Sequence, residues 1–275
     1  GEITMQRVIN PDYCKELGPL TTDDLNLDKN RATFILKKKF RRISGRRRLG
    51  LLWMVLDPIV TSFVYLFVFT VLRASAKVET IFIGITLFRL MQLSLKTGMN
   101  SIDDFSGGLK AERVRTRVLK TSMIKFRIID SFLQSFGVAL ILLIGYGIPL
   151  IGIMIFLLIA QIIGFLSEGV GMNLAPLAKN IPDLKNIVNY FLMVLFFASP
   201  ALYPMSYTTG LHRTLNEFHP FPYFVETARY FAGLDSVILE LDFRIFALFS
   251  LILIVLTIRG YSIIDKLRWR ITTWS

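Results

Sequence analysis

The stretch "RRRLGLLWMVLDPIV", Arg46–Val60, decides the fold. Three arginines meet Trp53 within five residues, and Asp57-Pro58 then interrupts an apolar run that continues to Leu72. Cations followed directly by a Trp and a long apolar run mark the inner edge of a membrane span, with Trp53 as a headgroup-level anchor. Pro58 falls near the start of the run, where a missing amide donor costs least. A cleavable signal is not expected: the first 28 residues are polar, and the first apolar run begins near residue 49.

Composition places the rest of the chain. Its 275 residues are 53% hydrophobic and carry a formal net charge of +12. In a soluble protein that excess would point to nucleic acid. Here the apolar residues come in long blocks, at 51–72, 128–159, 187–204 and 245–258. A helix crosses the hydrocarbon core with about 20 such residues, so the chain belongs in a membrane and nucleic acid is excluded as a partner. A lone cysteine, Cys14, rules out an internal disulfide and cysteine-based zinc or iron–sulfur sites.

The fold class is all-α integral membrane, with six transmembrane helices. The spans fall at Leu51–Leu72, Ile81–Leu95, Ile128–Tyr146, Ile148–Gly169, Ile187–Tyr203 and Phe243–Ile258. The second is short and weak, with Arg89 and Gln92 inside it. The third and fourth form a tight hairpin around Gly145, Gly147 and Pro149. Lysine and arginine divide 23 against five between the two sides, which puts both termini in the cytoplasm of a multi-pass inner-membrane protein. Residues 1–28 form an N-terminal arm. Residues 29–48 form an amphipathic interface helix, with Phe34, Ile35, Phe40 and Ile43 on its apolar side. Residues 49–275 form the six-span domain, with a cytoplasmic loop at 98–127 and an outer segment at 205–242.

Ionisable groups at membrane depth need an account. Asp57, Thr61, Tyr65 and Phe69 share one helix face, and Arg89 and Lys96 share another. Phe196, Phe197 and Tyr203 lie on a polar-aromatic face of the fifth span. Each stripe alone fits helix packing. Together they fit a water-accessible conduit, with Glu168 as the candidate partner of Arg89 or Lys96. Catalytic and metal sites are not expected. His212 and His219 both lie on the outer side, and no HExxH, nucleophile elbow or Lys-Ser/Thr phosphate loop occurs. Energy for active transport must then come from another polypeptide.

Three motifs carry a resemblance. They are "RLGLLWMVLDPIV" at the first span, "SPALYP" (Ser199–Pro204) at the end of the fifth, and "HPFPYFVETARYF" (His219–Phe231) before the sixth. The chain resembles the membrane subunit of ABC-2 type exporters, in particular those moving O-antigen, capsule or teichoic acid. The resemblance implies a homodimer with a conduit at its interface and two ATP-binding cassette subunits that carry ATP and Mg. No cofactor is implied in this chain. The implied substrate is a glycan on a polyprenyl pyrophosphate lipid. Its sugars would stack on Tyr65, Phe69, Phe196, Phe197 and Tyr203. Its pyrophosphate, or membrane lipid headgroups, would meet Lys38, Arg42, Arg46, Arg47 and Arg48. The loop 98–127 would hold the ATPase-coupling helix, with Asp103, Asp104, Phe105, Glu112, Arg113 and Arg115 at the polar interface. Short re-entrant helices in 205–242 would gate the exit. An exporter of a drug, lipid or peptide is the alternative within the same fold.

Overall fold

The computed structural model describes residues 22–45, 49–71, 77–106 and 116–271, and no β-strand occurs among them. The helices are α1 (Thr22–Ser44), α2 (Leu52–Val71), α3 (Val78–Met99), α4 (Ser101–Ser106), α5 (Thr116–Leu140), α6 (Leu150–Asn180), α7 (Leu184–Ala198), α8 (Gly210–Glu217), α9 (Pro220–Phe231) and α10 (Phe243–Ile271). A π-helical turn, Ile141–Gly145, prolongs α5. Helices Val78–Met99, Thr116–Gly145, Leu150–Asn180 and Phe243–Ile264 are long and apolar enough to cross a membrane. Two apolar helices are shorter, Leu52–Val68 and Leu184–Ala198.

Several sequence boundaries need correction. The second apolar segment is not short: α3 has 22 residues, and its most apolar stretch is the most buried of the four long helices at 61%, against 11% for α10. Arg89, Gln92 and Lys96 dilute its hydropathy from one flank, while Ile81 to Leu90 are packed inside the protein. Helix α5 starts twelve residues before Ile128, at Thr116. Helices α6 and α10 likewise run past Gly169 and Ile258, to Asn180 and Ile271. Hydropathy finds only the lipid-depth part of a helix; the extensions of α5 and α6 are held by protein contacts instead, through buried residues such as Val118, Met123, Met172 and Ala175. Helix α2 runs through Pro58 without a break.

Helix α3 lies at the centre, packed closely on α6. Gly171 permits the approach: a Cβ there would collide with the Leu95 carbonyl oxygen. Small residues let apolar helices gain close van der Waals contact where lipid supplies no hydrophobic drive between them. The main core joins Phe82, Phe88 and Leu90 of α3 to Phe156, Ile159 and Ile163 of α6, and to Phe221, Val225 and Ala228 of α9.

Helix α1 packs on α5. Its buried face is Asp28, Ala32 and Leu36, at four-residue spacing. Ile35 packs beside Leu119 and Met123, and the Phe40 ring sits 5.2 Å from Phe126. Phe34 and Ile43, assigned to the same apolar side from sequence, point outward at 69% and 36% exposure. The helix ends in a left-handed Gly45 (φ 51°), whose amide donates to the Arg41 carbonyl at 2.9 Å.

Candidate functional site

Four polar clusters interrupt the apolar packing of the described residues. The first surrounds α4, just after the end of α3. Asp103 accepts from Lys185 Nζ at 2.7 Å and Lys179 Nζ at 3.4 Å. Asp104 pairs with Arg42 and with Lys39 at 3.4 Å. The two neighbouring carboxylates therefore tie α4 to the α6–α7 junction on one side and to α1 on the other. Burial alone would raise the Asp103 carboxyl, but the hydrogen bonds and charges of Lys185 and Lys179 outweigh it and hold it below the usual carboxylate range. Burial pushes the Lys39 ammonium below its ordinary value, opposed chiefly by Asp104. Lys39 also lies over the Phe126 ring, 4.0 Å from its centre. Among the residues assigned to coupling, Asp103 and Asp104 thus sit together, bonded within the chain. Glu112, Arg113 and Arg115, and the Phe105 side chain, lie outside the described residues. Of the basic cluster, Arg42 is the Asp104 partner and Lys38 is exposed; Arg46, Arg47 and Arg48 lie outside the described residues.

The second cluster is fully buried and joins four helices. Arg127 of α5 donates from Nε to Glu168 Oε2 of α6 at 2.8 Å, and from one terminal nitrogen to Asp130 and to Ser94 of α3, each at 2.7 Å. Gln134 supports Asp130 at 2.8 Å, and the Tyr261 hydroxyl of α10 reaches Glu168 at 3.3 Å. Glu168 is therefore not the partner of Arg89 or Lys96. Arg127, counted from sequence as a loop cation, is a core residue with no exposed surface. Sequence reasoning missed Ser94, Asp130, Gln134 and Tyr261. The available signal was Arg127, Asp130 and Gln134 at three- and four-residue spacing.

The third cluster is the α2–α3 flank. Arg89 of α3 pairs with Asp57 of α2. Their side chains are 29% and 45% exposed, so this ion pair opens onto the outside of the chain at the depth of the apolar helices. Lys96, seven residues along α3, is partly buried, and among the described residues no carboxylate lies within ion-pair distance of it. Thr61 and Tyr65 continue the Asp57 face and are partly buried. Above them the Tyr65 and Phe88 rings each stand 5.0 Å from Phe196, and Phe197 stands 5.3 Å beyond it. Phe196 is buried in the core at 7% exposure, whereas Phe197 is 53% exposed. Sequence reasoning passed over Tyr190 and Phe191, which lie on the open side of α7 at 72% and 62% exposure. The Phe69 side chain lies outside the described residues.

On the far side, α8 and α9 close over the end of α7. The Ala198 carbonyl accepts from the Tyr203 hydroxyl at 2.9 Å, His212 Nε2 at 2.7 Å and Asn216 at 3.0 Å. Tyr203 is thus a cap on a helix end. Buried Glu226 and Arg229 of α9 pair at 2.9 Å. Glu226 accepts from the Met205 and Val237 amides, and Arg229 donates to the Tyr203 and Thr80 carbonyls. An apolar cavity of about 180 Å³ lies against the α8–α9 turn, with His219 and Phe221 meeting Met91, Ile163 and Phe191. The other end of α9 approaches the start of α6, where a Cβ on Gly152 would crowd the Phe231 carbonyl. Helix α9 therefore lies alongside α6 from Gly152 to about Ile163.

The ABC-2 type transporter family matches residues 31–232. The chain is 29% identical to the O-antigen export system permease protein RfbA of Myxococcus xanthus over 173 residues, 60% of this chain and 66% of that protein. It therefore spans just under two thirds of that relative's length. It is 26% identical to the O-antigen export system permease protein RfbA of Klebsiella pneumoniae over 239 residues, 81% of this chain and 86% of that protein. The family match covers more than half of the chain, and it meets helices long and apolar enough to cross a bilayer: this multi-pass membrane protein belongs to the ABC-2 type transporter family.

Proposed function

We propose that the chain is the membrane subunit of an ATP-driven exporter that moves a polysaccharide, carried on a polyprenyl pyrophosphate, out of the cytoplasm. Two copies enclose the conduit and bind two ATP-binding subunits, which hold the ATP and Mg. The observation that carries the reading is the partly exposed Asp57–Arg89 pair, with Lys96 along the same face of α3, between long apolar helices. Charges facing hydrocarbon are costly, so this flank needs water or protein opposite it. A second copy facing it supplies both. Support for the glycan comes from the two relatives, both O-antigen export permeases, and from the open aromatics Tyr190, Phe191 and Phe197. The chemistry is transport, with hydrolysis left to the partner.

In this reading α2, α3, α5, α6, α7 and α10 are six crossings of the inner membrane, and both termini are cytoplasmic. Helices α8 and α9 dip back from the outer face; the position of α9 beside α6 supports this. Helix α4 and the loop after it meet the ATPase. The 49–275 domain with its arm and its interfacial helix α1 forms the working unit, and the basic residues from Lys38 to Arg48 meet lipid headgroups. The test is reconstitution with an ATP-binding cassette subunit that co-purifies with it, in liposomes, reading glycan release into the lumen and ATP turnover. Turnover that rises with lipid-linked glycan supports the reading. Turnover that responds only to a drug, lipid or peptide overturns the glycan assignment.

A further inference from the structure

The α2–α3 flank carries more cation than the described residues neutralise. Arg89 spends one terminal nitrogen on Asp57, while its Nε is buried without a hydrogen-bond partner. Lys96 lies seven residues, about 10 Å, further along the same face of α3. It forms no ion pair with a described carboxylate. Asp57, Arg89 and Lys96 together hold one net positive charge. Lys96 stands three residues before the end of α3, the end that is cytoplasmic in the export reading, and Arg89 stands about two turns further in. The Asp57–Arg89 pair is itself partly open, at 45% and 29% exposure, so an anion arriving on this flank can compete with the Asp57 carboxylate for Arg89.

We propose that Lys96 and Arg89 form an anion site for a phosphate-bearing group, and that Asp57 occupies Arg89 while the site is empty. The inference deepens the export reading, in which the diphosphate of a membrane-anchored substrate is the natural ligand. Lys96 meets the anion first, as a strongly hydrated point charge. Arg89 then exchanges the Asp57 carboxylate for a phosphate oxygen at the same terminal nitrogen. Asp57 acts here as a competitor.

The test is direct binding to the full chain in lipid nanodiscs, without the ATPase, by calorimetric titration. The probes are farnesyl diphosphate, inorganic pyrophosphate and farnesol. Farnesyl diphosphate is expected to bind and farnesol is not. Lys96→Gln should weaken binding tenfold or more, Lys96→Arg should stay within about threefold, and Asp57→Asn should tighten it severalfold. Arg259→Gln, an exposed cation on α10, should change nothing. The Lys96 side chain makes no hydrogen bond or ion pair among the described residues, and its carbonyl bond from the Asn100 amide is kept in the variant, so Lys96→Gln should elute and melt like the parent. The comparison of farnesyl diphosphate with inorganic pyrophosphate assigns the anion to a lipid-anchored or a soluble source. Equal affinity in Lys96→Gln and the parent, weaker binding in Asp57→Asn, or a loss confined to Lys38→Gln overturns the site. Because the readout is binding, failure of glycan transport in liposomes would leave this result standing, and the converse also holds.

Discussion

Replacing Arg127 by Met tests the buried four-helix cluster most sharply. Met keeps most of the aliphatic volume but removes three hydrogen bonds, to Glu168 at 2.8 Å and to Asp130 and Ser94 at 2.7 Å. Two buried carboxylates are then left without their cation. Breaking a buried pair from one side costs about 3–5 kcal/mol, and two stranded acids put this variant at the upper end. Glu168→Gln should be milder. Its amide oxygen can still accept from Arg127 Nε, and Arg127 retains Asp130 and Ser94, so the loss is that of one charge-assisted bond, about 1.5–2 kcal/mol. The gap of about 3 kcal/mol is roughly a hundredfold in the folded-to-unfolded ratio. The double variant Arg127→Met with Glu168→Met should cost less than the sum of its single changes, because neither leaves the other stranded. Unfolding in mixed micelles with rising SDS fraction, followed by far-ultraviolet circular dichroism, measures the parent, these three variants and Glu168→Met alone, which the sum requires. If Arg127→Met costs no more than Glu168→Gln, the network does not hold α3, α5, α6 and α10 together as described.

Reversing the α4 contact by Asp104→Arg should lower transport per ATP hydrolysed and also cost stability, because Asp104 is only 22% exposed and the new cation faces Lys39 at 19% as well as Arg42; adding Arg42→Asp should restore part of the ratio in reconstituted liposomes. Asp103 is held below its ordinary 3.8 by Lys185 and Lys179, so its contribution to docking α4 is complete above about pH 4 and is lost as pH falls through the depressed value; amide exchange in α4 should therefore be independent of this group between pH 5 and 8. Gly171→Leu should destabilise by about 3 kcal/mol or more, because even a Cβ meets the Leu95 carbonyl, and the same micelle titration reads it.

Helix faces were legible in the sequence and neighbours were not. The seven-residue spacing of Arg89 and Lys96 put both on one side of α3, and the four-residue spacing of Asp57, Thr61 and Tyr65 did the same for α2. Which acid would meet Arg89 depended on which helix lies beside that flank, and α3–α6 packing through small residues such as Gly171 decides that. Once the α3 face bearing Leu95 is committed to α6, Arg89 is turned toward α2, and Asp57 is the acid it meets. Glu168, on α6, is left for Arg127. Arg127 in turn escaped notice because hydropathy begins its span at Ile128, while the helix begins at Thr116 and carries the cation inside on protein contacts. The apolar pattern thus gives the crossings, and the charges report the packing only when read against neighbouring helices. The same reasoning separates the two ion clusters by role. Arg127 and Glu168 have no exposed surface and fix helices to one another, whereas Asp57 and Arg89 are open, and Lys96 below them lacks an acid among the described residues. A pair that only joined two helices would need neither the opening nor the extra charge, and both are what an incoming anion requires.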